Sequence, residues 1–275
     1  MKKFFLTYIF LIFSILSFSQ DTLTILPQKI KSDKTFLIVP FNPKVYNNDA
    51  DESISKETSK TYDQILNYFR LAFDQKLNEQ LNDTCHSISM LASFTVSANE
   101  DLQLIYSISN YVLSEAMDFE DGKIGAFNKS KLEPEKPKKY QKQKSSNSSS
   151  GIQNGEVVSK VSRFSEQFLH VRFSDLNLIR NIAKSSKVDY MLFINEFEII
   201  GNYTNPYNSG RNENDMMIKV HYSLYNSSGK YLFGSYATSQ YKAFIVDMNK
   251  ISELCFSDIN KQIIKNLPLK IEKKL

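Results

Sequence analysis

Val188-Asp-Tyr-Met-Leu-Phe-Ile194 runs on into Asn195-Glu-Phe-Glu-Ile-Ile200. Tyr190 to Ile194 is nearly all apolar, so an extended segment here needs cover on both faces and belongs in the interior of a sheet. Upstream, Ser174 or Asp175 stands where an N-cap belongs, ahead of a helix to about Lys184, and Phe168 to Phe173 reads as a strand before it. Downstream, Met216, Ile218, Val220, Tyr222 and Leu224 alternate with Lys219, His221 and Ser223, the period of two expected of a strand with one wet face. Asn226-Ser-Ser-Gly229 reads as a turn and Lys230 to Thr238 as the hairpin partner. Met248, Ile251, Leu254, Cys255, Ile259, Ile263 and Leu267 then mark one side of a closing helix.

The first half repeats the alternation of strand and helix. Lys34 to Phe41 contains a short apolar run stopped by Pro40, the mark of a strand buried on both faces. Asn42 to Ser59 is polar and turn-rich. Tyr62, Ile65, Leu66, Phe69, Phe73, Leu77 and Leu81 recur at three- and four-residue steps and predict a helix of about 20 residues. Ser87 to Val96 is expected to hold a second strand, and Asp101 to Met117 another amphipathic helix through Leu102, Ile105, Tyr106, Ile108, Tyr111 and Val112. From 118 to 156 a stretch rich in lysine and serine cannot bury enough surface to offset its ordering entropy, and it reads as a disordered insertion. Its lysines are either a solvated linker or a docking patch for anionic glycan or lipid. The order predicts an α/β fold: a mixed sheet of about five strands with a C-terminal hairpin, flanked by amphipathic helices. The expected divisions are 1–19 as a signal peptide, 20–117 and 157–275 as two parts of one α/β domain, and 118–156 as the insertion between them.

Composition narrows the function classes. The chain has 275 residues, 41% hydrophobic and 23% charged, which excludes a disordered, collagen-like or disulfide-dense protein. Only 8 residues are glycine, little material for loops that wrap phosphates. With 34 basic and 30 acidic residues, a net +4, no polyanion-seeking surface is implied and no nucleic-acid partner is expected. Met1-Lys-Lys3 followed by the apolar run Phe4 to Phe18 and the small residues Ser17 and Ser19 reads as a cleaved export signal. Its removal takes Lys2 and Lys3 but no acid, lowering the net charge from +4 to +2. The run is shorter than the roughly 20 residues of a spanning helix, and no cysteine follows it to carry a lipid. A soluble periplasmic or secreted protein without a membrane span after cleavage is therefore expected. Cys85 and Cys255 could bridge in that compartment, closing a loop worth about 4 to 5 kcal/mol in the chain-entropy model, or remain isolated buried thiols.

Ile38-Val-Pro-Phe41 on the first strand and Val188-Asp-Tyr-Met-Leu-Phe-Ile194 after a short helix resemble a group of envelope proteins. The group comprises the amino-terminal domain of TolB, the periplasmic domain of the curli-secretion lipoprotein and the lipoprotein activator of penicillin-binding proteins. The resemblance covers about Lys34 to Asn82 and Phe168 to Leu267, and the leader is similar to those of Bacteroidota envelope proteins. It implies a non-catalytic adaptor that binds other envelope proteins. The lipoprotein cysteine is missing and the insertion is extra, so neither anchoring nor pore formation carries over.

Motifs of catalysis are absent: there is no Gly-x-Ser-x-Gly elbow, His-Glu-x-x-His, Cys-x-x-Cys or phosphate loop. No catalytic residue, metal or cofactor is expected. Of the three histidines, His221 falls on the wet face with Lys219, His86 neighbours Cys85 but on the opposite face of a strand, and His170 needs a tertiary partner. Asn47, Asp49, Asp51 and Ser53 alternate as calcium-loop oxygens do, yet Glu52 replaces the turn glycine and Thr58 the closing glutamate, leaving a polar loop. Glu196 and Glu198 share one strand face and could pair as in a glycosidase, against a reading as solvated edge residues. Gly201 to Asp215, with Tyr203, Asn205, Tyr207 and Arg211, has the aromatic and amide composition of binding loops, against a reading as a plain long hairpin loop. The expected partner-binding residues are thus Tyr203, Asn205, Tyr207 and Arg211 together with Asn47, Asp49 and Asp51. The function expected is an envelope adaptor whose partner is another envelope protein. Alternatives are a cell-wall hydrolase using Glu196 and Glu198, and a carrier of a small ligand or lipid.

Overall fold

The computed structural model describes residues 31–92, 96–115, 151–153, 156–158, 167–201 and 215–269. The expected leader, most of the expected insertion and the tyrosine- and asparagine-rich segment with Tyr203, Asn205, Tyr207 and Arg211 lie outside them. The fold is mixed α/β. Strands β1 (Thr35–Val39), β2 (Tyr46–Asn48), β3 (His86–Ser89), β8 (Tyr190–Gly201), β9 (Asp215–Asn226) and β10 (Tyr231–Lys242) make one six-stranded sheet in the order β10-β9-β8-β1-β3, with β2 also on β8. β1 is parallel to β3 and β8, while β8, β9 and β10 form an antiparallel meander. The sixth strand is β2, which lies within the segment expected to be a polar loop and pairs in parallel with Phe197 to Ile199 beyond the end of β1.

Helices cover both faces. α1 (Asp51–Thr58) and α2 (Tyr62–Asn82) follow β2, and α5 (Met248–Lys265) closes the fold. Thr61 and Gln64 form a capping box at the start of α2, each side chain accepting from the other's backbone N–H. Phe69, Phe73 and Leu77 of α2 and Ile251, Phe256 and Ile259 of α5 bury Phe36, Ile38, Phe197 and the even-numbered apolar residues of β9. Two residues of the expected stripes lie outside this core: Tyr62 and Leu254 are about half exposed. On the opposite face, α3 (Val96–Ile108) and α4 (Leu176–Ser185) pack Leu102, Ile105, Ile179 and Ile182 on Leu37, Val39, Met191 and Phe193. Asp175 caps α4 as expected, accepting from the N–H groups of Asn177 and Leu178. Cys85 and Cys255 are separate buried thiols. No helix among the described residues is long and apolar enough to cross a membrane.

The helix expected over 101–117 stops at Ile108, and Ser109–Glu115 is a strand, β4. The hydroxyls of Ser107 and Ser109 bond to the carbonyls of Leu104 and Ile105, ending the helical turn, and Tyr111-Val-Leu113 favours extended chain. β4 pairs along its length with β7 (Gln167–Phe173), forming a two-stranded ribbon separate from the main sheet. The end of the expected insertion carries a further short pair, β5 (Gly151–Gln153) with β6 (Glu156–Val158).

The ribbon corrects the reading of β9 as a strand with a wet face. β7 crosses the face carrying Lys219, His221 and Ser223, and all three are buried, Lys219 and His221 to 3% exposure. Phe168 of β7 enters the sheet over Gly234, where an added Cβ would stand 2.4 Å from the Phe168 ring.

Candidate functional site

β8 and β9 run antiparallel with Glu196 opposite His221 and Glu198 opposite Lys219. The pairing follows from alternation, since residues two apart on each strand share a face, and it sets acids against bases across the ladder. A bulge at Asn195 adjusts the register: Ile194 pairs with Tyr222 and Glu196 with His221, so one residue of β8 is extra. Because of it Asn195 joins Glu196 and Glu198 on the ribbon side, while Ile194 and Phe197 remain in the opposite core. His170, Asn195, Glu198, Lys219, His221 and Ser223 are all buried in this layer between β7 and the sheet. Polar groups this deep require partners.

The partners are mostly the backbone of β7. Lys219 Nζ donates to Gln167 O at 3.0 Å, Asn195 Nδ2 to Leu169 O at 2.7 Å and Tyr225 Oη to Val171 O at 2.6 Å. Leu169 N–H donates to His221 Nδ1 at 2.6 Å. Residues 167, 169 and 171 are alternate, so one edge of β7 is hydrogen-bonded to β4 and the other to a ladder of side chains rising from the sheet. His170, on the intervening position, meets Ser223 Oγ at 3.1 Å.

His221 lies between the two carboxylates, with Nδ1 3.8 Å from Glu196 Oε2 and Nε2 3.3 Å from Glu198 Oε2. Asn47 Nδ2 donates to Glu196 Oε1 at 2.8 Å, and the Lys219 ammonium stands 4.4 Å above the Tyr236 ring. Burial lowers the His221 pKa, opposed by Glu198 and aided by Lys219. Burial lowers Lys219 as well, against the pull of Glu198 and Glu196, and raises Tyr111 to about 12, with Glu196 adding to the rise.

Glu196, Glu198 and His221 bring three ligand-type atoms within 4.8 Å of one another. A metal needs the lone pair of one ring nitrogen while the other donates its proton. Here Nδ1 accepts from Leu169, which places the proton of the neutral ring on Nε2. Neither nitrogen offers a lone pair to a cation while β7 is docked. A glycosidase pair likewise holds a sugar between its carboxylates, whereas an imidazole lies between these two.

Of the other sequence candidates, Asn47, Asp49 and Asp51 are engaged internally. Asn47 is a strand residue bonded to Glu196. Asp49 accepts from Gly201 N–H at 3.1 Å, fastening β2 to the end of β8. Asp51 begins α1 and accepts from Tyr46 Oη and Asn48 Nδ2, and burial raises its pKa to about 6. The calcium spacing is lost at Asp51, where the chain turns helical. Glu196 and Glu198 are not edge residues; their side chains are 13% and 9% exposed on β8, which lies between β9 and β2 at these positions. His86 is exposed and Cys85 buried, on opposite sides of the strand start as expected. Sequence reasoning missed the cluster as a unit, although acids on one strand facing Lys219 and His221 on the next were its visible signal. Compared with protein-family models, with curated proteins and with solved structures, the chain matches none.

Proposed function

We propose that the chain is a non-catalytic binding protein of the bacterial cell envelope, periplasmic or secreted, that acts by gripping another envelope protein. The observation that carries the reading is the use made of the buried acid–base groups. Lys219, His221 and Asn195 meet strand backbone, and Asn47 meets Glu196. Groups held this way brace a fold and are not directed at a substrate. The leader at residues 1–19 supports export, and the segment between Gly201 and Asp215 supplies the aromatic and amide side chains suited to a partner surface. Since Asn47, Asp49 and Asp51 are engaged within the fold, the grip is assigned to Tyr203, Asn205, Tyr207 and Arg211 alone.

The test compares the mature chain with a variant carrying Tyr203→Ala and Tyr207→Ala in capture from an envelope extract. Discrete partners retained by the parent and lost by the variant are expected; equal recovery by both rejects this surface. A second reading, a cell-wall hydrolase, draws on Glu196, Glu198 and His221 lying within bonding reach of each other. Release of glycan or peptide fragments from cell-wall material by the parent, abolished in Glu196→Gln/Glu198→Gln, would establish it in place of the binding role.

A further inference from the structure

The bonds holding β7 to the sheet differ in their response to protons. Lys219, Asn195 and Tyr225 donate to carbonyl oxygens, and such donors keep their hydrogens on acidification. Leu169 N–H is the reverse case, because it donates to His221 Nδ1 and only an unprotonated ring nitrogen can accept. We propose that His221 is a proton-operated latch: on taking up a proton at Nδ1 the imidazole releases Leu169, turns to Glu196 and Glu198, and lets the β4–β7 ribbon lift from the face of the sheet.

Both positions of the latch have partners in place. Glu196 Oε2 is 3.8 Å from Nδ1 and Glu198 Oε2 is 3.3 Å from Nε2, so a charged ring finds an acceptor on each side after a small rotation. Leu169 N–H, by contrast, is left facing a donor at 2.6 Å, a contact that cannot persist. Among the described residues the ribbon has no backbone pairing to the main sheet to fall back on, since β7 pairs there with β4. The step is a proton transfer from solvent to Nδ1 with no other bond formed or broken covalently.

The groups facing the ring are Glu196 and Glu198 from β8, Lys219 from its own strand, the Tyr236 ring from β10 and the Leu169 amide from β7. Asn47 of β2 donates to Glu196, and Tyr111 of β4 feels the same carboxylate. Burial, followed by Lys219, holds the ring below its ordinary 6.5, against Glu198. A ring that binds its proton less readily when docked stabilises the docked form fully above about 6.5, and that contribution is lost as the pH falls. His170 is the other imidazole of the layer, lowered to about 4 chiefly by burial. Its Nδ1 faces the Ser223 hydroxyl, which rotates to accept as readily as to donate, so its protonation creates no comparable conflict.

Amide hydrogen exchange on the intact chain, expressed as protection relative to intrinsic rates and followed from pH 8 to pH 4, tests the latch. Protection across 167–173 and 109–115 is expected to fall by about tenfold per pH unit once the ring titrates, as one proton per release requires, while β8, β9 and α2 stay protected. Nitrogen NMR of His221 in the parent should show an unprotonated Nδ1 at neutral pH that gains its proton in the same interval. His221→Asn, whose Oδ1 stands where Nδ1 does and keeps an acceptor for Leu169 but cannot titrate, should hold the ribbon throughout, and His170→Gln should release it as the parent does. The latch is overturned by ribbon protection that persists until the whole chain unfolds, by a His221 Nδ1 already protonated at neutral pH, or by loss of release in His170→Gln.

Discussion

Lys187 carries a φ of 54°, a left-handed conformation that costs a residue with a Cβ roughly 1 kcal/mol. It is held there by the end of α4, where Lys187 N–H donates to Lys184 O and Val188 N–H to Ala183 O, the two bonds of a Schellman motif. The motif turns the chain straight into β8, with Val188 and Ala183 buried together on the same side. Lys187→Gly is expected to raise stability by about 0.5–1 kcal/mol, measured by urea denaturation, because glycine occupies this conformation without strain. The Asp175 cap was legible from residue type, as Asp at that place accepts from the first free N–H groups. His221 was not. Its neighbours along the chain alternate as on any half-wet strand, and only Leu169, 52 positions away, determines that the ring is buried and which nitrogen bears the proton.

At the scale of elements, the β4–β7 ribbon accounts for most differences between expectation and structure. It shortens the helix expected over 101–117, covers the face of β9 expected to be wet, buries Glu198 and half-buries Glu196. Its anchoring point on the apolar side is Phe168, fully buried against Gly234 of β10. A Cβ at position 234 would also lie 2.9 Å from Tyr222 O, so neither ring nor backbone gives way freely. Gly234→Ala is expected to destabilise the fold by about 1–3 kcal/mol, with the loss of exchange protection concentrated in β7 and β4. An equal loss across β8 and β9 would instead mean that the strand pairing itself had yielded. The free edge of β10 is guarded locally: Gln262 of α5 donates to Thr238 O at 2.7 Å and accepts from Thr238 N–H at 3.2 Å, occupying backbone groups that an added strand would use.

For the molecule as a whole, acidification acts in two opposing directions. Asp74 of α2 is buried with its carboxylate accepting from the Ser89 hydroxyl, and burial raises its pKa from 3.8 to about 6 despite Ser89 and Arg70. A raised carboxyl contributes stability that is present below 3.8 and lost as the pH climbs through 6, a difference of about 3 kcal/mol between its two forms. Asp74→Asn is therefore expected to be more stable than the parent by about 1–3 kcal/mol at pH 7.5, with the gap closing toward pH 4 in denaturation curves. His170 and His221 have the opposite sign, since both are lowered and their contribution is lost on acidification. The sequence alone determined β1 and α2, the run of β7, α4 and β8, the burial of β1 and β8 on both faces, the hairpin of β9 and β10 and most of the stripe of α5. These follow from side-chain periodicity and capping, which act over a few residues. Tertiary structure alone decided that β2 joins β8, that β4 leaves the helix and that the polar face of β9 receives β7. Each of those depends on a surface contributed by a distant part of the chain, and the burial of an acid or an imidazole is set by what arrives above it.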